Sequence, residues 1–345
     1  MDHESAIDEA AQPELAALQW RFVGPYRGGR VMAVAGHPTS RRIFYAGSSS
    51  GGVWRTDNSG AAWRNISDAH FKRASVGALT IADADPSVLY VGMGECGLRS
   101  NVTHGDGVYR SDDGGTTWSH LGLAATQNIA RIRVHPHDAD LVYVAAFGHR
   151  FGPNAERGVH RSRNGGRTWE RVLFADADTG AIDLAMDPHN PHVLYAAMWQ
   201  ARVHPWSHST RGPGSSLLKS SDGGETWTDL SDRPGFPAGE RGRIGVTASP
   251  ARANRLWAIV DAAEGGIYRS DDAGATWTWL TADRNFQVRP WYFGHVLADP
   301  VDPDGLYVVN RKLWRSGDGG RSYRQVNVPY VDQMDLWVDP RDPHR

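Results

Sequence analysis

The chain has 345 residues, with 37 Lys and Arg against 39 Asp and Glu, so its formal net charge is −2. This balance does not suggest nucleic acid or an anionic membrane as a partner, and neither is expected. The single cysteine, Cys96, excludes an internal disulfide framework. No apolar run approaches the length of a transmembrane helix, so we expect no membrane insertion.

Residues 1–19 form an acidic stretch with neither a basic n-region nor an apolar h-region, so they are not a signal peptide. We expect a flexible lead-in there and one domain over residues 20–345. As it stands the chain is expected in the cytoplasm, unless an export signal precedes this sequence.

One motif recurs six times in the chain. It reads Ser-x-Asp-x-Gly-x-Thr-Trp, and four copies follow it at residues 111–118, 162–169, 220–227 and 270–277. Two degenerate copies occupy residues 56–63 and 316–323. Six copies of one motif indicate a repeat architecture, which has to be recognised before any other interpretation.

Each copy lies between two strand-like runs, which predicts a β-hairpin. In the copy at 111–118, Asp113 can accept hydrogen bonds from backbone N–H groups of its own loop. Gly115 can adopt positive φ without strain, and Trp118 opens the next strand. A catalytic residue need not occur six times, so these acids are expected to brace the hairpins. The equivalent structural residues are Asn58, Asp113, Asn164, Asp222, Asp272 and Asp318.

Two further strand-like runs precede each hairpin, such as Ile132-Arg-Val-His-Pro and Leu141-Val-Tyr-Val. Four short strands per unit, with the motif aromatics 46 to 58 residues apart, predict an all-β propeller of four-stranded blades. A β-sandwich fits less well, because it would not require one motif in every hairpin.

The last residues repeat the beginning of a unit. Asp335-Leu-Trp-Val-Asp-Pro340 copies the first strand and turn of a blade. We therefore predict six complete blades plus the start of a seventh in residues 332–345, within a fragment of a longer chain. Leu18–Val23 could pair with this last blade. The alternative is a closed six-bladed ring with residues 332–345 as an added tail.

The recurring motif resembles the Asp-box, or BNR repeat, of sialidases, sortilin-type receptors, xyloglucanases and the photosystem II assembly factor. The runs Trp20–Arg30, Ser75–Leu79 and Asp106–Arg110 look like those of bacterial sortilin-like and glycosyl-hydrolase-like BNR proteins. The resemblance covers residues 20–345. It implies the propeller fold and two different functions: binding of a polypeptide or glycan, or hydrolysis of a β-glucan such as xyloglucan.

Alternating strands place the long insertions on the face opposite the motif hairpins. They are residues 94–105, 148–157 and 200–214, and the interblade stretches 68–73 and 283–292 join them. Variable loops grouped on one face of a rigid scaffold usually bind there, so we expect a polypeptide or polysaccharide ligand on this face. The residues expected to contact it are Arg27, Arg30, Glu95, Arg99, His104, His149, Arg150, Trp206 and Trp291.

The sequence argues against catalysis by this chain. The resemblance to xyloglucanases places a catalytic acid where Ser49 stands, and a serine cannot serve as a glycosidase carboxylate. The remaining candidates on the loop face are Glu95, Glu156 and Asp283.

No metal and no cofactor are expected. The histidine pairs at 135 and 137 and at 204 and 208 lack the further ligands of a tetrahedral site, and no phosphate-binding loop occurs. The oligomeric state is left open.

Overall fold

The protein is a six-bladed β-propeller. A computed structural model describes residues 29–99 and 101–342. The predictions for the lead-in 1–19, for Leu18–Val23 and for Arg27 fall outside these residues. Within them, six antiparallel sheets of four strands follow one another around a ring. The prediction of an all-β propeller with six complete blades is confirmed.

The strands run from the inner to the outer edge of each blade in chain order. Blades one to three comprise β1 (Val31–Gly36), β2 (Phe44–Ser48), β3 (Gly52–Thr56), β4 (Arg64–Asn65), β5 (Val76–Ile81), β6 (Leu89–Met93), β7 (Val108–Ser111), β8 (Ser119–His120), β9 (Ile129–His135), β10 (Asp138–Ala146), β11 (Gly158–Ser162) and β12 (Glu170–Leu173).

Blade four contains an extra hairpin, β15–β16, inserted between its second and third strands. Blades four to six comprise β13 (Thr179–Met186), β14 (Leu194–Gln200), β15 (Arg202–His204), β16 (Ser207–Ser209), β17 (Ser216–Ser220), β18 (Thr228–Asp229), β19 (Arg241–Ala248), β20 (Leu256–Ala262), β21 (Gly266–Ser270), β22 (Thr278–Thr281), β23 (His295–Ala298), β24 (Leu306–Val309), β25 (Leu313–Ser316) and β26 (Arg324–Val326).

The helical content of the described residues is small. Two 3-10 turns, Ala124–Thr126 and Arg284–Phe286, lie in the connections between blades. No helix among the described residues is long and apolar enough to span a bilayer.

The second strand of each blade is apolar on both faces because it lies between two neighbouring blades. Every residue of β6 is buried, and so is every residue of β20. Aromatic side chains then connect successive blades through hydrogen bonds. The Tyr45 hydroxyl donates to Gly114 O of the next blade at 3.1 Å, and Trp118 Nε1 donates to Ile66 O of the preceding blade at 2.9 Å. These donors satisfy polar groups inside an apolar interface, where an unpaired group would be costly.

The motif hairpins have the expected hydrogen bonds. Asp113 Oδ1 accepts from Ser111 Oγ and from the backbone N–H groups of Thr116 and Thr117, each at 2.8 Å. Gly115 has φ 90° and donates its N–H to Ser111 Oγ at 2.8 Å. Burial opposes ionisation of Asp113, but the hydrogen bonds from Thr117, Ser111 and Thr116 outweigh it and lower its pKa to about 2.

The predicted start of a seventh blade is not confirmed, because residues 332–342 form no strand. They instead fill the gap between blade six and blade one. Leu336 and Val338 pack against Val309 of blade six, while Trp337 meets Phe44 of blade one edge-on, with ring centroids 5.8 Å apart. A Cβ on Gly36 would lie 2.5 Å from the Trp337 ring, so glycine is required where the tail crosses the first inner strand.

Candidate functional site

The long loops of blades two, three and four converge on the face opposite the motif hairpins. They enclose a groove with a volume of about 360 Å³. Each of these three blades contributes to its walls, and the connection from blade five to blade six closes one side. The lining residues are Leu98, Arg99, Arg150, Phe151, Val203, His204, Pro205, Trp206, Ser207, His208 and Trp291.

Aromatic rings dominate the rim of the groove. Trp206, at the tip of the β15–β16 hairpin, is 82% exposed and stacks on His204 with ring centroids 5.5 Å apart. Trp291 lies on the other side, 6.1 Å from the His208 ring. A β-bridge between Phe151 and Val203 joins the loops of blades three and four. The groove therefore presents broad, rigid apolar surfaces to solvent, which is unusual without a ligand.

Two guanidinium groups add polar contacts to these rings. Arg150 Nη1 donates to Arg99 O at 2.7 Å, and its guanidinium lies 4.6 Å from the centroid of the Phe151 ring. Arg99 in turn approaches Glu95, with 3.4 Å between Nε and Oε1. The two arginines are thus positioned by the protein, which prepares them for a polar ligand at little entropic cost.

Glu95 is part of a buried ion pair at the mouth of the channel. It is fully buried, and Arg30 Nη2 donates to its two carboxylate oxygens at 2.7 and 2.8 Å. Its backbone carbonyl accepts from Asn128 Nδ2 at 2.8 Å. Arg30 therefore lies at the channel mouth, as its position before β1 predicts, but it is engaged with Glu95.

The structure brings together four of the predicted contact residues, Arg99, Arg150, Trp206 and Trp291. His104 is exposed outside the groove. The backbone carbonyl of His149 accepts a hydrogen bond from Asn154 Nδ2 at 2.9 Å, so this residue stabilises its own loop.

The acids considered for catalysis do not meet. Glu156 and Asp283 both lie outside the groove, and Asp283 accepts a hydrogen bond from Asn285 N at the start of a 3-10 turn. Ser49 is 1% exposed, and its backbone N–H donates to Arg30 O at 2.9 Å. A glycosidase pair of carboxylates is therefore not assembled by the candidates that the sequence offers.

A layer of charged residues, not predicted from the sequence, lies inside the central channel. Arg131 lies at its centre: Nε is 3.1 Å from Asp183 Oδ1, and Nη1 is 3.3 Å from Asp335 Oδ1. Arg131 Nη2 is 2.7 Å from His295 Nδ1, and Arg243 Nη2 is 3.1 Å from His295 Nε2. Four blades and the tail are tied together by this network.

Burial and neighbouring charges set the protonation of this layer. Burial, and then the charge of Arg131, lower the pKa of His295 to about 4, so the imidazole is neutral near pH 7. Although burial opposes it, the charge of Arg131 holds the pKa of Asp183 far below its usual range. The sequence contained a signal of this layer. One position of the inner strand is alanine in blades one and two, Ala33 and Ala78, but charged in blades three and four, Arg131 and Asp183.

The comparisons with known proteins agree with this architecture. A family model described as "Sortilin, neurotensin receptor 3" matches residues 106–236. A xyloglucanase of Hypocrea jecorina is 24% identical over 352 residues, which cover 92% of this chain and 41% of that protein. Xyloglucanase Xgh74A of Acetivibrio thermocellus is 24% identical over 344 residues, covering 87% of this chain and 38% of the relative. In sequence and in fold the chain is thus similar to the propellers of sortilin-type proteins and xyloglucanases.

Solved structures show the same propeller. The GH74 enzyme of Niastella koreensis superimposes with a TM-score of 0.61 at 18% identity, over 85% of this chain and 46% of that one. YCF48 bound to D1 peptide gives a TM-score of 0.55 at 14% identity, over 86% of this chain and 82% of that one. The propeller spans about 40% of the length of the xyloglucanases that it matches.

Proposed function

We propose that this propeller is a polysaccharide-binding module that holds its ligand in the groove between Arg99, Arg150, Trp206 and Trp291. The observation that carries the proposal is the exposed ring of Trp206, fixed by stacking on His204 at the edge of a groove of about 360 Å³. Sugar rings present flat C–H faces that stack on such aromatic planes, and their hydroxyl groups accept hydrogen bonds from guanidinium donors.

The form of the groove supports a polymer rather than a small molecule. It lies open on the loop face and is assembled from three successive blades. Its walls combine aromatic rings with two guanidinium groups, which suits several contacts along a chain of sugars. The relatives named as xyloglucanases make xyloglucan the first polysaccharide to test.

The test is a binding screen of the whole chain against xyloglucan, other β-glucans, xylan and a peptide array. We expect saturable binding to one or more polysaccharides, reduced about tenfold or more in Trp206→Ala. Trp279→Ala is the matched control, because Trp279 is a 50% exposed tryptophan on the outer strand β22, away from the groove. Binding to peptides alone would replace this proposal with a polypeptide-binding function.

A second function, hydrolysis of a β-glucan, is kept as an alternative because sequence matches to xyloglucanases extend over about nine-tenths of this chain. The geometry of the candidate acids does not favour it, since Glu95 is buried in an ion pair with Arg30 and Ser49 replaces the acid that the resemblance implies. Release of reducing sugar from xyloglucan by the purified chain, lost in Glu95→Gln, would establish hydrolysis instead of binding alone.

A further inference from the structure

A second cavity lies at the opposite end of the channel from the groove. It has a volume of about 300 Å³ and opens on the face that carries the motif hairpins. The charged layer around Arg131 forms its floor, and the ends of the inner strands form its walls. This volume is at the small end of the range for ligand pockets, which restricts an occupant to a small molecule.

Repetition of the blades allows each residue of the wall to be compared with its equivalents. One position on every inner strand faces the aromatic residue of the second strand. It is occupied by Ala35, Thr80, Arg133, Ala185, Thr247 and Leu297 in blades one to six. Arg133 is the only charged residue in this series. A repeat architecture does not require an arginine there, so its presence needs a local explanation.

Arg133 lines the cavity without an ion-pair partner among the described residues. Its guanidinium donates to Ile132 O at 3.2 Å, whereas the neighbouring carboxylates of Asp183 and Asp335 are engaged with Arg131. Burial, and then the charge of Arg131, lower the pKa of Arg133 to about 10. A buried guanidinium group without an ion-pair partner is stabilised when a carboxylate binds to it.

The second departure from the repeat occurs in the adjacent blade. Three residues after the position of Arg133, the turn carries a proline in five of the six blades: Pro38, Pro136, Pro188, Pro250 and Pro300. Blade two has Asp83 there. Asp83 lines the same cavity and is open to it, and no hydrogen bond or ion pair of its carboxyl group occurs among the described residues.

Part of the wall is apolar. Leu79, Leu297, Val309 and Trp337 contribute hydrocarbon surface to it, beside the polar side chains of Thr80 and Thr247. The cavity therefore offers a guanidinium and a carboxylate, neither paired to the other, and an apolar surface beside them.

We propose that this cavity binds a small zwitterion with an apolar side chain, of the free amino acid class, whose carboxylate meets Arg133 and whose ammonium group meets Asp83. A simple dianion fits the site poorly, because Asp83 would repel it. A simple amine fits poorly as well, because Arg133 would stay without a partner. The site is separate from the polysaccharide groove, which lies on the other face of the propeller.

The experiment is isothermal titration of the whole chain with L-leucine and three matched probes. L-Leucinamide keeps the ammonium group and lacks the carboxylate, 4-methylpentanoate keeps the carboxylate and lacks the ammonium group, and inorganic phosphate tests for a general anion site. We expect L-leucine to bind saturably in the micromolar to millimolar range and each probe to bind at least tenfold more weakly.

Variants make the test specific to the two residues. Arg133→Gln and Asp83→Asn should each weaken L-leucine binding at least tenfold, whereas Arg167→Gln, at an exposed arginine outside the cavity, should leave it unchanged. Thermal melts identify a variant that has unfolded. Asp83→Asn should disturb folding less than Arg133→Gln, because Asp83 lies on an exposed turn. No binding of L-leucine, equal binding of 4-methylpentanoate or phosphate, or normal affinity in Asp83→Asn would overturn the proposal.

Discussion

Asp335 Oδ2 accepts a hydrogen bond from the backbone N–H of Val34 at 3.0 Å, across 301 positions of sequence. An equivalent hydrogen bond joins blades four and five, where Asp183 Oδ2 accepts from the backbone N–H of Val246 at 3.1 Å. Asp335 also approaches Arg131 in the channel. Although the tail forms no strand, it contacts blade one through the bond that an inner strand uses, and so closes the ring.

Asp335→Ala should therefore destabilise the propeller. The substitution leaves Val34 N–H without its acceptor and removes one carboxylate beside Arg131, so we expect a loss of about 2 to 4 kcal/mol in the free energy of unfolding. Denaturant titration measures it. Asp342→Ala is the control, because the one side-chain contact of Asp342 among the described residues is with Arg41, at 3.8 Å. Equal stability of the two variants would show that the tail does not close the ring.

Asp113→Ala tests the role of the motif acids as braces of the hairpin. The variant loses the acceptor of the Thr116 and Thr117 N–H groups, and we expect a cost of about 1 to 2 kcal/mol. Asp112→Ala removes the neighbouring exposed acid and should cost under about 0.5 kcal/mol. Unchanged stability of Asp113→Ala together with lost ligand binding would assign the motif to function instead.

Trp118→Ala tests the contact between blades one and two. The indole donates to Ile66 O and packs edge-on against Phe71, with ring centroids 5.1 Å apart. Its removal should cost about 3 kcal/mol because a cavity and an unpaired carbonyl remain. Thermal and denaturant melts measure the change, with Trp279→Ala as an exposed control. A cost no larger than that of the control would contradict the packing described here.

His295 predicts how stability depends on pH. Its pKa is lowered from 6.5 to about 4, with Arg131 and Arg243 facing its ring nitrogens and Asp183 nearby. As the pH falls, this histidine is protonated in the unfolded chain before it is protonated in the folded protein. The free energy of unfolding should therefore fall between about pH 6.5 and pH 4, by an amount on the order of 3 kcal/mol. Denaturant melts at several pH values should show a flatter profile in His295→Gln. An unchanged slope would mean that the imidazole is not buried as a neutral ring.

The sequence predicts the propeller because its determinants are local. Turn chemistry around Asp113 and Gly115 and the apolar second strands recur in every unit, so the repeat is visible without knowledge of contacts. Loop length also places Arg99, Arg150, Trp206 and Trp291 on one face. The ligand-binding role of these residues stays a prediction.

The channel could not be predicted in the same way. Whether Arg131 meets Asp183, His295 and Asp335 depends on how the inner strands of several blades are angled around the axis, and this is not a local property. For the same reason Glu95 appears as a free surface acid in the sequence, although Arg30 and Arg99 enclose it. The start of a seventh blade is not confirmed, because the sequence of the tail copies an inner strand but its backbone pairs with no second strand among the described residues.

The most direct test of the groove is a crystal structure of the chain soaked with a xyloglucan oligosaccharide, combined with titration of Trp206→Ala and Trp279→Ala. The account predicts sugar rings stacked on Trp206 between Arg99 and Trp291, and affinity lowered about tenfold or more only in Trp206→Ala, which corresponds to about 1.4 kcal/mol. Sugar density on the face of the motif hairpins, or equal affinity of the two variants, would contradict it.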